Sequence, residues 1–261
     1  MREFRLIRSY QTPDVNNMAF DEFIFKRYLQ DRVPVFRVYR WKSPSFTYGI
    51  SQDPAVLIDI DKCALNKVEI AKRMTGGGLL FHDDEITYSF VCSKLDVGEP
   101  ENVFVSYREI CSFLISFYDS LGLKASFAIN SPDFRKHNTP HELCSASREK
   151  FDIIINGKKI GGNAQKRKRD VVFQHGSVPR SIDWDLQNRF IKFPPEDNSS
   201  YVTTLSQELV AVPNNDVLEE KLIEAFSRSF GVNFIEESKS RPGLNIGIES
   251  QDRVLDGCPR L

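Results

Sequence analysis

Residues 144–176 read CSASREKFDIIINGKKIGGNAQKRKRDVVFQHG. Residues 151–155 and 171–174 are β-branched and aromatic runs, which predict two short strands. Between them Asn156 and Gly157 supply the positive φ angles of a tight hairpin turn. Gly161 and Gly162 remove two Cβ atoms in succession, a pattern expected where backbone passes close to a strand or a ligand. Cys144 stands just upstream and Lys159 lies between the two glycine turns, so a thiol and an ammonium enter one neighbourhood. As an exposed or cleft lysine, Lys159 is expected to contribute little to packing. The basic run Lys166-Arg167-Lys168-Arg169 is expected at a solvated hairpin tip, or as a docking patch for an acidic partner.

A second informative stretch, residues 72–93, reads KRMTGGGLLFHDDEITYSFVCS. Thr75 leads into Gly76, Gly77 and Gly78, a loop without side chains whose N–H groups are suited to an anion or a carbonyl. His82, Asp83, Asp84 and Glu85 follow, directly before a strand over residues 86–92, and so place ionisable groups at a strand end beside the glycine loop.

Around these stretches the periodicity predicts helices over residues 16–29, 58–66, 103–121, 184–190 and 216–230. Gly122 and Gly231 are expected to end two of them. Strands are expected over residues 4–10, 36–39, 46–48, 69–72 and 124–129, with a further one at Phe234 and Ile235. Residues 131–143 are polar and interrupted by Pro132 and Pro140, hence loop. His137, His141 and Cys144 have metal-like spacing, but Pro140 breaks the helix that would align them and no fourth ligand stands nearby. No metal is expected.

The chain has 261 residues, 41% hydrophobic and 27% charged, with a net charge of −1. Such near-neutrality argues against a nucleic-acid binder acting through bulk charge. The five cysteines form no CxxC pair, which points to a reducing compartment rather than a disulfide framework. There is no signal-like N-terminus and no run approaching the roughly 18 apolar residues of a membrane span. A cytoplasmic, membrane-free protein is expected.

The two glycine motifs together resemble the biotin/lipoate protein ligase and octanoyltransferase superfamily. Its pattern is an Arg-Arg-x-Thr/Ser-Gly-Gly loop followed by His-Asp, then a Gly-Arg/Lys-Lys-(Ile/Val)-x-Gly-Ser-Ala-Gln hairpin followed by His-Gly. Arg73, Thr75, Gly76, Gly77, His82, Asp83, Lys159, Gly162, Ala164, Gln165, His175 and Gly176 match it. The resemblance implies an α+β fold in which a large mixed sheet and a smaller sheet pack with helices around an acyl cleft. The catalytic domain would span residues 1–235, with an unassigned tail over 236–261. HDDEITYS is similar to the His-Asp-x-Glu-Leu-Thr-Tyr-Ser of the cysteine-dependent octanoyltransferases, and Cys144, fifteen residues before Lys159, has the position of their nucleophile. Gly76, Gly77 and Gly78 have instead the ligase-like form, Asn163 replaces the usual serine, and Ser145 stands where an aromatic commonly follows the cysteine.

By this resemblance Cys144 and Lys159 are catalytic. Arg73, Thr75, Gly76, Gly77, Gly78, His82, Gly161, Gly162, Asn163, Ala164, Gln165, His175 and Gly176 bind substrate. The implied reaction moves octanoyl from octanoyl-acyl carrier protein, through a Cys144 thioester, to a lysine of a lipoyl-accepting domain, such as the glycine cleavage H protein or a 2-oxoacid dehydrogenase E2. A monomer without cofactor is expected. The alternative is a lipoate-protein ligase using free lipoate or octanoate with ATP and Mg²⁺. Lys159 would lower the thiol pKa and polarise the acyl carbonyl, with backbone N–H groups of the glycine turns as further oxyanion donors.

Overall fold

The computed structural model of the protein describes residues 2–9, 17–98, 102–132, 134, 149–194 and 200–237. Cys144, His137, His141 and the tail from residue 238 lie outside the described residues. The chain begins with β1 (Arg2–Ser9), α1 (Asn17–Asp31), β2 (Val35–Tyr39), β3 (Ser45–Tyr48), α2 (Pro54–Leu57), α3 (Ile60–Leu65) and β4 (Glu69–Lys72). It continues through β5 (Leu80–His82), β6 (Glu85–Ser93), α4 (Val103–Ser120), β7 (Ala125–Phe127), β8 (Ile153–Ile155), β9 (Lys158–Ile160), β10 (Asn163–Lys168) and β11 (Val171–Pro179). It ends with α5 (Trp184–Asn188), β12 (Val202–Thr203), α6 (Leu205–Glu208), α7 (Asn215–Phe230) and β13 (Val232–Glu236).

Six strands form a mixed sheet in the order β10-β11-β6-β2-β1-β13. Both its faces are covered, which is why β6 and β11 are buried almost throughout. On one face α1 sets Phe20, Ile24, Phe25 and Tyr28 against Val35, Val91, Val171 and Phe173. On the other, α4 and α7 pack Phe113 and Phe226 against Phe36, Tyr88 and Phe90. Each such aromatic contributes on the order of 1.5–3 kcal/mol by leaving water. Asn102 and Asn214 cap the N-termini of α4 and α7 by accepting from Val105 and Val217 N–H. Gly231, left-handed at φ 61°, closes α7, as its sequence position predicts.

The large mixed sheet meets the expectation, but two smaller sheets accompany it rather than one: β12-β9-β8-β7 and β4-β3-β5. Strands β5 and β9 have three residues each, too short to show a period. Only the second half of the basic run is a solvated hairpin tip. Residues 166–168 belong to β10, the edge of the large sheet, where Lys166 and Arg167 are half-buried and Lys168 is exposed; Arg169, at φ 57°, makes the turn. Charged residues suit such an edge because they discourage pairing with another chain.

At two of its passages from a small sheet to the large one the chain crosses through only two residues. Asp83 and Asp84 join β5 to β6, and Gly161 and Gly162 join β9 to β10. Both crossings lie inside the informative stretches, and a cleft opens between them.

Candidate active site

The cleft has a volume of about 370 Å³, within the roughly 300–1,000 Å³ of small-molecule sites. It brings together Arg73, Gly76, Gly77, His82, Lys159, Gly162, Asn163, Ala164, Gln165, His175 and Gly176 from four separate segments. Three of the expected binding residues stand elsewhere. Thr75 is buried behind His175, Gly78 contacts Arg73 through its carbonyl, and Gly161 faces a neighbouring cavity of about 40 Å³ that it shares with Lys159 and Gly162.

Lys159 departs from expectation. It is only 3% exposed, and its Nζ lies 2.8 Å from Oδ2 of Asp152, itself 7% exposed. The same Oδ2 accepts the Glu149 N–H at 2.7 Å and so closes the turn over residues 149–152. One carboxylate thus ties the ammonium to residues 149–152, whose first member follows Cys144 by five positions in the sequence. Glu149, Lys150, Phe151 and Asp152 all line the cleft.

The glycine loop is held by an arginine. Arg73 donates through Nη2 to the Gly78 carbonyl at 2.6 Å and the Gly76 carbonyl at 3.3 Å, so these carbonyls turn toward the guanidinium. Its Nη1 donates to the carbonyl and the Oγ1 of Thr47, each at 2.8 Å. Gly49 makes room for the loop: a Cβ there would meet the Gly77 oxygen at 2.1 Å.

Two buried histidines flank the cleft, each between a carboxylate and a threonine. His82 Nδ1 lies 2.8 Å from Glu85 Oε1 and its Nε2 2.7 Å from Thr47 Oγ1, with Trp41 stacked on the ring at 4.1 Å. His175 Nδ1 lies 3.4 Å from Asp21 Oδ2 and its Nε2 2.8 Å from Thr75 Oγ1. Burial raises the Asp21 pKa, but the Arg37 guanidinium at 2.7 Å and bonds from His175 and Ser89 carry it below the carboxylate value. Burial also pushes His175 down, against the pull of Asp21. A neutral imidazole facing a carboxylate carries its hydrogen on Nδ1, so Nε2 accepts from Thr75 and fixes the start of the glycine loop.

Below the cleft runs a continuous relay. Ser106 donates to Gln165, Gln165 to Gln174, Gln174 to Tyr88 and Tyr88 to Asn163, at 2.6–3.1 Å. Gly176 stands against it, and a Cβ there would come within 2.1 Å of Asn163 Oδ1. Sequence reasoning missed Asp21, Thr47, Tyr107, Asp152 and Gln174. Only Asp152 carried a local signal, an acid at the head of an apolar run that faces a lysine hairpin.

No helix among the described residues is long and apolar enough to cross a membrane. Residues 14–227 match the family described as lipoyl protein ligase A/B catalytic domain. An octanoyltransferase LipM from Bacillus cereus is 31% identical over 234 residues, covering 86% of this chain and 84% of that protein. Its counterpart from Anoxybacillus flavithermus is 28% identical and covers 97% and 90%. Among solved structures, a lipoate-protein ligase A bound with ATP superposes with a TM-score of 0.72 at 25% identity, covering 90% of this chain and 88% of that one. With the family model matched over residues 14–227 and most of the motif residues gathered in one cleft, the chain belongs to the lipoyl protein ligase A/B catalytic-domain family.

Proposed function

We propose that the protein is an octanoyltransferase that takes octanoyl from an acyl-carrier thioester and delivers it to a lysine of a lipoyl domain. The observation that carries this reading is the Lys159–Asp152–Glu149 link, which fixes a buried ammonium beside residues 149–152 inside an acyl-sized cleft. The LipM relatives support the same reading. The Cys144 thiolate attacks the thioester carbonyl, a new S–C bond forms, and the carrier leaves as a thiol after taking up a proton. The neutral acceptor amine then attacks the octanoyl-cysteine and the C–S bond breaks. The nitrogen gives one proton to solvent as the amide forms, and the Cys144 thiolate returns. No nucleotide is needed, because the acyl group arrives already activated. Burying the acyl methylenes contributes about 0.8 kcal/mol each, before the cost of ordering the chain.

Intact-mass spectrometry tests the proposal. Incubation with octanoyl-carrier protein is expected to add one octanoyl unit, removable by hydroxylamine, and Cys144→Ala is expected to abolish both the adduct and the transfer. Full activity of Cys144→Ala with free octanoate or lipoate and ATP would replace this reading with the ligase one.

A further inference from the structure

The cavity of about 40 Å³ beside the cleft differs from it in character. The two share Leu80, Lys159, Gly162 and Ser177, so both reach the same lysine. The smaller one has apolar walls at Phe46, Leu79, Phe81 and Trp184, interrupted by the polar side chains of Asp83, Ser177 and Gln187. Among the described residues none of these three side chains has a hydrogen-bond or ion-pair partner. Gln187 is only 4% exposed, yet its amide is not sealed from water, so the surface it keeps faces the cavity it lines. A side-chain amide buried to that degree is ordinarily met by a polar group. Asp83, half-buried, stands in the crossing from β5 to β6. Its carboxyl pKa is raised, first by burial and then by Asp84, Asp183 and Glu85. Arg180 pairs with Asp84 at 3.0 Å, and Asp83 is left without a cation among the described residues.

We propose that this cavity receives the side chain of the acceptor lysine, which thus reaches the acylated centre by its own entrance while the acyl group occupies the cleft. This rests on the octanoyltransferase reading. The three unpartnered groups offer a carboxylate, a hydroxyl and an amide oxygen as acceptors, and an ammonium carries three N–H donors. Apolar walls suit the methylene stem of a lysine. The acids that attract a cation repel an anion, which disfavours a phosphate or carboxylate in the same place. Asp83 marks the outer end and Lys159, shared with the cleft and held by Asp152, the inner one. Two ammonium groups side by side repel. The incoming group therefore gives a proton to water before it reaches Lys159, and arrives as the neutral amine that attack requires.

The test separates the two half-reactions. Octanoyl-enzyme is formed with octanoyl-carrier protein and isolated, and its loss is timed with a lipoyl domain, with n-butylamine as a lysine side chain alone, and with hydroxylamine, which is small and uncharged at neutral pH. Asp83→Asn, which keeps the shape and removes the charge, is expected to acylate at the wild-type rate. It is expected to pass octanoyl to the lipoyl domain and to butylamine about tenfold more slowly, and to react with hydroxylamine unchanged. Gln187→Met, of similar volume without the amide, is expected to show the same pattern with a fall of about threefold, and stands in should the asparagine variant not fold. Transfer at the wild-type rate in both variants overturns the proposal. So does an equal fall in acylation or with all three nucleophiles, which would give the cavity to the donor or make these residues structural. A loss with the lipoyl domain that spares butylamine overturns it too, and would make Asp83 a contact for the domain's surface. If the wild type forms no octanoyl-enzyme, the octanoyltransferase reading fails and this proposal falls with it.

Discussion

Removing the Lys159 ammonium would leave the Asp152 carboxylate buried, and a stranded charge costs far more than an intact pair contributes. Lys159→Ala is therefore expected to lose on the order of 3–5 kcal/mol in denaturant melts, as well as acylation. Adding Asp152→Asn should return part of the stability and none of the activity. A Lys159→Ala variant as stable as the wild type would show that the pair is not buried in solution. The lysine was legible because an ammonium between two glycine turns advertises chemistry. Its partner was missed although an acid stood at the head of the apolar run, because the run as a whole reads as a strand. Asp21 was further from reach: it meets His175 across 154 positions, and no local pattern announces such a contact.

Gly161 shows how a whole element depends on one absent methyl. It holds a φ of 68°, and a Cβ would meet the Ser177 carbonyl oxygen at 2.0 Å, where β9 passes over to β10. Gly157 has a similar φ of 77° but faces open space. Gly157→Ala is thus expected to cost only about 1 kcal/mol for its backbone. Gly161→Ala should cost at least about twice that, because β11 cannot retreat without opening the large sheet. Chemical denaturation of the two variants checks the order, and equal losses would refute it. The glycine pair itself was legible, as were α4, α7 and β6, whose lengths let a period appear. Strands β5, β9 and β10 were hidden: two are three residues long, and the third is a polar edge.

Across the molecule, the polar groups fastening α1 to the large sheet set an acid limit. His175 is neutral in the fold because burial pushes its pKa below the ordinary 6.5, whereas the unfolded chain protonates near 6.5. Stability is therefore complete above that pH and declines below it, by at most about 1.4 kcal/mol per pH unit, until the folded pKa is passed. Asp21, carried below 3.8 by Arg37 and its other partners despite burial, adds a second loss under pH 3.8. Melts between pH 8 and 3 should show both steps, and His175→Asn should remove the upper one. A wild-type profile flat from pH 7 to 5 would contradict the assignment. The pairing of Arg2 with Val232 has a different consequence. Strand β1 is made about 230 residues before β13, the strand that covers one of its edges. Throughout synthesis that edge stays open to any passing strand. A chain stopped at Gly231 should accordingly collect in the insoluble fraction, and its recovery as a soluble, folded species would show that the large sheet closes without its last strand.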